Sequence, residues 1–322
     1  GETCFFFRRG VRIYYLLYKE IVRYFRRVML IPTGTKRGDM KLETLVLCDN
    51  KGELAQIQIP GSNAAKELMD EEMVANPKVF PKTSLPSTQD YVDAFEPFVQ
   101  ASTPIICICI STKFSGSMQS ALRAKDILAE TYPDAKITVI DATVNTVLQG
   151  QYVMEAVRMQ EAGWEYDDVV NRLEEIKSSG RIFFTVGDLE YLKHGGRIGK
   201  LAGVAASALG IKPMITLKEG EIFSSGLARS RKKSLDKIID MLLEYVKETG
   251  KKLEDFSLSL GFGYDKEEAK AFRTHFISVV NEKLKSVTPL TEELLPLRQI
   301  GAAISVHTGP YAIGLGVIEK AF

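Results

Sequence analysis

The residue types best suited to bind a small anion lie in one short turn. Ser115, Gly116 and Ser117 follow an apolar run, residues 104–110, which has the length and composition of a strand buried on both faces. Residues 118–131 then repeat apolar side chains at nearly helical spacing, which predicts a helix with Ser117 as its N-cap. Free N–H groups at a helix start, beside serine hydroxyls, suit a carboxylate or a phosphate. An ordinary capped connection between a strand and a helix is the alternative interpretation.

Two further turns carry side chains that favour anions. Two adjacent glycines permit a tight turn that presents Arg197 either to a ligand or, as the end of a helix, to solvent. Residues 302–307 are predicted to form a strand that places His307 at its end, followed by the hydroxyl of Thr308. There the imidazole either donates to an anion or has a structural role alone.

A compact basic cluster opens a helix predicted at residues 235–248. Because basic charge at a helix start opposes the helix dipole, the cluster is interpreted as a partner-binding surface. Its members are Arg229, Arg231, Lys232 and Lys233.

The composition limits the classes of protein to which this chain can belong. The 322 residues are 45% hydrophobic and 26% charged, as expected of a globular protein, and the net charge of +1 argues against nucleic-acid binding. The four cysteines have no zinc-ligand spacing, and no P-loop or hydride-carrier motif occurs, so neither a metal nor a cofactor is predicted. No apolar run reaches the ~18 residues of a spanning helix. A reducing cytoplasm is the predicted location.

The first 40 residues differ from the rest of the chain. They hold nine Arg or Lys residues and three acidic residues. Apolar and aromatic side chains in residues 11–29 follow helical spacing, which predicts a basic amphipathic helix able to make transient contact with a membrane surface. A helix packed on its own domain, or a non-native extension, would show the same pattern.

Strands alternate with helices through the remainder, which predicts an α/β fold with a mainly parallel sheet in its first domain. The predicted divisions are a basic segment over 1–40, an N-terminal α/β domain over 41–178 and a C-terminal α/β domain over 179–322. Within the second domain, residues 201–211 are predicted to form a buried helix, and residues 213–225 a hairpin.

Six motifs in order give the chain a resemblance to the DegV family, bacterial fatty-acid-binding proteins that present acyl chains to a fatty acid kinase. The resemblance spans about residues 78 to 320. The motifs are Pro81-Lys82-Thr83-Ser84-Leu85-Pro86-Ser87, Ser115-Gly116-Ser117-Met118-Gln119-Ser120-Ala121, Leu192-Lys193-His194-Gly195-Gly196-Arg197-Ile198, Ile211-Lys212-Pro213, Arg229-Ser230-Arg231-Lys232-Lys233 and His307-Thr308-Gly309-Pro310.

The resemblance implies two α/β domains with a long acyl chain buried between them. It also implies that the fatty acid carboxylate is bound by Thr83, Ser84, Ser115, Gly116, Ser117, Arg197, His307 and Thr308, and that a fatty acid kinase is the partner of the basic cluster. The chain departs from the family at its front, where residues 45–50 are the nearest equivalent of the family's Asp-Ser-Thr type turn.

An enzyme is the main alternative to a carrier. Ser115 or Ser117 with His307 would suit an acyl esterase or thioesterase, because a serine between a strand and a helix is where a nucleophile elbow places it. However, no G-x-S-x-G motif occurs and no carboxylate is evident to orient the histidine. A pure interaction module is the third possibility. The prediction is a lipid-binding protein without catalytic residues.

Overall fold

The computed structural model describes residues 70–201 except 72 and 79, residues 211–284 and 289–322, and the backbones of five strands before residue 58. By their contacts the residues form two compact units. The first comprises Gly1–Glu72, Ser84–Cys107 and Gly116–Val139, and the second comprises Met73–Thr83, Ile108–Ser115 and Ile140–Phe322. The domain boundaries expected after residues 40 and 178 stay predictions.

The N-terminal strands pair in two antiparallel sheets. One contains β1 (Cys4–Arg9) and β2 (Arg12–Leu17), and the other contains β3 (Arg23–Ile31), β4 (Met40–Asp49) and β5 (Gly52–Ile57) in that order.

The amphipathic helix predicted over residues 11–29 is therefore wrong, because β2 and most of β3 occupy that range. The segment is rich in tyrosine, phenylalanine, valine and isoleucine, which favour strands. In short apolar stretches, the spacing of apolar residues alone does not distinguish a helix from a strand well. The predicted membrane contact depended on a helical face and loses that basis.

Two described helices of the first unit begin in different ways. Helix α1 (Thr88–Gln100) has Ser87 as its N-cap: the Ser87 hydroxyl accepts from the Asp90 N–H, and the Asp90 carboxylate accepts from the Ser87 N–H at 2.9 Å. Helix α2 (Ser117–Thr131) has Gly116 as its N-cap, so the prediction of Ser117 as the cap is wrong by one residue.

Two strands flank helix α2 in the chain and lie side by side in one sheet, β6 (Ile105–Cys109) and β7 (Ile137–Asp141). The Ala142 N–H donates to the Cys109 carbonyl, and the Ser111 N–H donates to the Val144 carbonyl, so the two segments run in the same direction. The predicted order of strand, serine-rich turn and helix is confirmed.

The second unit contains a six-stranded sheet with the order β10-β9-β8-β13-β11-β12. Its pairs are antiparallel except β11 with β12. The strands are β8 (Arg181–Thr185), β9 (Lys212–Lys218), β10 (Glu221–Ala228), β11 (Phe256–Phe262), β12 (Leu297–Gln299) and β13 (Ile313–Glu319). The predicted hairpin is confirmed by β9 and β10.

Six α-helices with defined bounds lie in the described part of this unit. They are α3 (Thr146–Glu161), α4 (Tyr166–Ile176), α5 (Glu190–His194), α6 (Arg231–Thr249), α7 (Lys266–Leu284) and α8 (Ala302–Thr308). Helices α6 and α7 bury one apolar face each against the sheet, with Leu242 and Phe276 fully buried in the resulting core. Most of the predicted buried helix, residues 202–210, lies outside the described residues.

The strand predicted at residues 302–307 is wrong, because helix α8 occupies this segment. The N–H groups of Ile304 and Ser305 both donate to the Gly301 carbonyl, which closes the first helical turn. Two alanines open the segment and favour a helix, and a run this short shows no decisive period. The change places His307 in the last turn of a helix.

A buried carboxylate joins helix α3 to the C-terminal residues. Glu155 is 1% exposed and accepts hydrogen bonds from the Ser257 hydroxyl at 2.6 Å and the Ala321 N–H at 3.0 Å. Arg158, one helical turn later, pairs with the same carboxylate. The charge of Glu155 is thus hydrogen-bonded and paired, as burial requires.

We expect Glu155→Ala to lower the free energy of unfolding by about 3 kcal/mol, because it leaves buried donors without an acceptor and Arg158 without its partner. Glu175→Ala is the matched control: this glutamate is exposed and pairs with Arg172 on α4, so its loss should cost less than about 1 kcal/mol. Urea unfolding of both variants measures the difference. Equal destabilisation would contradict the role given to Glu155.

Candidate ligand-binding site

Residues far apart in the chain meet in the second unit at His307. The Nε2 atom of His307 lies 2.9 Å from the Thr83 hydroxyl oxygen, across 224 positions of sequence. The imidazole is partly buried, whereas Thr83 is exposed. Two of the residues that were predicted to bind an anion are therefore in contact.

The imidazole lies directly against the backbone of Gly195. A Cβ atom at Gly195 would be 2.2 Å from Nδ1 of His307, a distance that no side chain allows. Gly195 ends helix α5, and the following Gly196 has a φ of +66°, so the predicted tight turn is confirmed. Nδ1 is buried and has no hydrogen-bond partner among the described residues.

Arg197 leaves this turn and is held by two backbone carbonyls. Its Nη1 donates to the Gly195 carbonyl at 2.8 Å, and its Nε donates to the Phe114 carbonyl at 3.1 Å. A guanidinium carries five N–H donors, and no carboxylate among the described residues pairs with this one. The alternative is correct in one part, because Gly195 is the C-cap of helix α5, but the Arg197 side chain is partly buried and bound to two carbonyls instead of facing solvent alone.

The surroundings of His307 lower its pKa. Burial, and to a smaller extent the positive charge of Arg197, hold the pKa of His307 below its ordinary value of 6.5. Both effects disfavour the charged imidazolium. At neutral pH the site therefore combines a fixed cation with a neutral imidazole and a hydroxyl.

The remaining predicted residues divide between the units. Ser115 lies in the same turn as Phe114, and its N–H donates to the Ser111 carbonyl. The Thr308 hydroxyl donates to the Ile304 carbonyl within α8. The first unit contains Ser84, Gly116 and Ser117.

The histidine and Ser115 do not form the pair that an esterase needs. Nε2 of His307 bonds to Thr83, and Nδ1 has no hydrogen-bond partner among the described residues. The general base is therefore not directed at Ser115.

An apolar cavity of about 60 Å³ lies beside helix α8. Ile300, Ile304 and Thr308 line one part of it, and Phe184 and Ile313 of the sheet line another. Neither this cavity nor the Phe114 carbonyl was found from sequence. A backbone carbonyl has no residue signature, and the cavity depends on the packing of α8.

Two of the four cations in the basic cluster are paired with carboxylates of the second unit. Arg231 makes a two-pronged ion pair with Glu268, at 2.8 Å and 2.6 Å. Lys232 pairs with Asp236 at 3.1 Å. The side chains of Arg229 and Lys233 form no ion pair with the described residues.

The described residues contain neither a helix that could span a membrane nor a group of side chains that could hold a metal ion. None of their helices combines the length and apolar content that crossing a bilayer requires. No three His, Cys, Asp or Glu side chains within them are grouped to hold a metal ion.

A family model for the uncharacterised proteins called DegV matches residues 57–320. The chain belongs to the DegV family. A DegV domain-containing protein of Clostridium acetobutylicum is 30% identical over 251 residues, which cover 78% of this chain and 82% of that protein. The predicted family resemblance is confirmed.

Solved structures of DegV proteins share the fold. A protein of Eubacterium ventriosum, described as binding stearic acid, is 43% identical with a TM-score of 0.71, covering 80% of this chain and 84% of its own. A DegV protein of Thermus thermophilus, described for its fatty acid binding, has a TM-score of 0.69 at 24% identity, covering 92% of this chain and 90% of its own. The likeness to the second protein shows the fold alone. The predicted α/β class is confirmed.

The pKa of His307 predicts a pH-dependent stability for this DegV protein. Because the folded pKa is lower than the unfolded value of about 6.5, the unfolded chain binds more protons as the pH falls below neutrality. The stability that comes from keeping His307 neutral in the folded protein is fully present above pH ~6.5. It is lost as the pH falls toward the folded pKa. Urea unfolding between pH 5 and 8 measures this effect. The free energy of unfolding should fall more steeply with decreasing pH for the wild type than for His307→Gln.

His194→Gln provides the control, because it removes an exposed histidine and retains His307. It should keep the pH dependence that His307 contributes. If the free energy of unfolding depends on pH equally in His307→Gln and the wild type, burial and Arg197 do not lower the pKa of this imidazole.

Proposed function

We propose that this DegV protein binds a long-chain fatty acid and presents its carboxylate to a fatty acid kinase. The observation that carries the proposal is the guanidinium of Arg197, which is fixed beside the pair of Thr83 and His307 without a carboxylate of its own among the described residues. A partly buried cation in this state favours an anionic ligand. The Eubacterium ventriosum relative, described as binding stearic acid, supports a fatty acid as that ligand.

The three side chains have complementary roles toward a carboxylate. The remaining N–H donors of Arg197 bind one or both oxygens with charge assistance. If His307 donates through Nε2 to the Thr83 oxygen, the Thr83 hydroxyl proton is directed to the ligand. The neutral histidine thus orients the threonine. Ser84, Ser115, Gly116, Ser117 and Thr308 stay predicted ligand contacts.

The acyl chain requires apolar surroundings. The cavity beside α8 is lined mainly by apolar side chains, and Thr308 directly follows His307 in the same helix. Its volume of about 60 Å³ corresponds to roughly two water molecules. It therefore holds a short part of a tail, and each buried methylene contributes about 0.8 kcal/mol.

Arg197→Ala and His307→Ala should each weaken fatty acid binding by about tenfold or more, because hydrogen bonds to a charged group contribute about 1.5–3 kcal/mol. Calorimetric titration of delipidated protein with stearic acid measures the change. Arg229→Ala is the matched control, because this arginine is exposed and lies outside the site. Unchanged affinity in both site variants would remove the two residues from the carboxylate site.

We assign the kinase interaction to Arg229 and Lys233, the members of the basic cluster that have no ion pair among the described residues. Arg229→Glu combined with Lys233→Glu should abolish phosphorylation of the bound acyl chain by the kinase while lipid binding continues, because rim charges steer association. Lys247→Glu, at the other end of α6, is the control and should behave as wild type. Loss of lipid in the double variant would place these residues in the pocket or the fold instead.

A further inference from the structure

Residues 80–83, which bring Thr83 to the candidate site, form neither a helix nor a strand. The hydroxyl oxygen of Thr83 nevertheless lies 2.9 Å from Nε2 of His307, although Thr83 itself is exposed. One hydrogen bond at an exposed position holds a chain segment weakly, because water competes for both partners. The position of Thr83 therefore calls for a further contact close to it in the chain.

An aromatic stack provides such a contact. The ring of Phe80 lies face to face with the imidazole of His194, with the ring centres 3.7 Å apart and the planes inclined by 6°. This distance brings the two rings into van der Waals contact. The centre of the Tyr191 ring lies 5.1 Å from that of Phe80 in an edge-to-face arrangement, which is a favoured geometry for aromatic pairs. Phe80 is thus held by two rings of helix α5.

The imidazole of His194 is oriented by its own helix. Its Nδ1 lies 2.9 Å from the carbonyl oxygen of Glu190, one turn earlier in α5. Because a carbonyl oxygen only accepts, this nitrogen carries the proton and donates it. The flat face of the imidazole is therefore presented to Phe80 in a defined orientation.

Helix α5 contacts both partners of the Thr83 and His307 pair. Its last residue, His194, stacks on Phe80, three positions before Thr83. Its C-cap, Gly195, lies against the imidazole of His307 at a distance that leaves no room for a Cβ atom. One short helix therefore fixes the segment of the threonine and the ring of the histidine.

The chain between the stack and Thr83 is short and stiff. Pro81 and Lys82 separate Phe80 from Thr83. Three residues of extended chain reach about 10 Å. Proline fixes its own φ and restricts the residue before it to extended conformations. Once Phe80 is stacked, Thr83 can therefore occupy only a small region beside His307.

We infer that the stack of Phe80 on His194 positions Thr83 against His307, so that Phe80 and His194 are positioning residues of the carboxylate site. The part of this inference that concerns affinity rests on the proposed function. The contact between Thr83 and His307 is a property of the protein without its ligand. Loss of the stack would leave Thr83 to be ordered when the fatty acid binds, which weakens binding.

The first test needs no ligand and uses the imidazole ¹⁵N resonances of His307 above neutral pH, assigned by their loss in His307→Gln. Thr83→Val removes the hydrogen bond to Nε2 and should shift that resonance. Phe80→Ala should shift it in the same direction. His194→Phe keeps an aromatic ring against Phe80 and should retain the wild-type resonance. The pKa of His307 should stay low in these variants, because burial and Arg197 lower it.

Calorimetric titration of delipidated protein with stearic acid is the second test. Phe80→Ala should weaken binding about fivefold, and it should have no further effect in the Thr83→Val protein, because both changes remove the same contact. His194→Ala, at an exposed position, should reproduce the effect of Phe80→Ala, whereas His194→Phe should bind as the wild type does. Trp164→Ala is the matched control. It removes a second ring stack of the same unit, with Phe322, and should change neither the resonance nor the affinity.

Two results would overturn the inference. One is an unchanged His307 resonance in both Phe80→Ala and His194→Ala. The other is a loss of affinity in Phe80→Ala that adds fully to that of Thr83→Val. A loss in His194→Phe as large as in His194→Ala would also contradict it, because the stack would then not be the cause. If the resonance shifts as expected but the wild type does not bind stearic acid, the proposed function fails and the positioning of Thr83 stands.

Discussion

The candidate site depends on the way two backbone carbonyls fix one guanidinium. Phe114 and Gly195 belong to turns that are distant in sequence, and Arg197 donates to both. Two of the five N–H donors of the guanidinium are used in this way, and the other three have no acceptor among the described residues. The same turn brings Gly195 against His307, so the cation, the imidazole and Thr83 form one arrangement. A change in this turn would alter all three groups together.

The chemistry of the site was more predictable from the sequence than its geometry. Arg197 and His307 were identified from residue type and turn context, and the strand, turn and helix around Ser117 from apolar spacing. The last turn of α8 was mistaken for a strand end because seven residues show no clear period. The strands in residues 12–31 were mistaken for a helix because their apolar side chains happen to follow helical spacing. In both places long-range pairing and packing decide the structure, and a local pattern contains neither.

The division of the basic cluster illustrates a second limit. In sequence, Arg231 and Arg229 are equivalent cations at a helix start. In the fold, Glu268 lies 37 positions after Arg231 and pairs with it through both oxygens, whereas Arg229 is exposed. A partner therefore meets fewer charges than the composition suggests. The number of basic residues in a sequence indicates a possible binding surface. The fold decides which of these residues remain free of internal ion pairs and can meet a partner.

The position of β13 has a consequence for how the chain reaches its folded state. This strand is the last in sequence, yet it lies between β8 and β11 in the sheet and pairs with both. During synthesis, β8 and β11 leave the ribosome long before the strand that joins them. The sheet can close only after the C-terminal residues have emerged, through contacts of high sequence separation that form slowly. Until then β8 and β11 each expose one unpaired edge, which favours pairing with other chains.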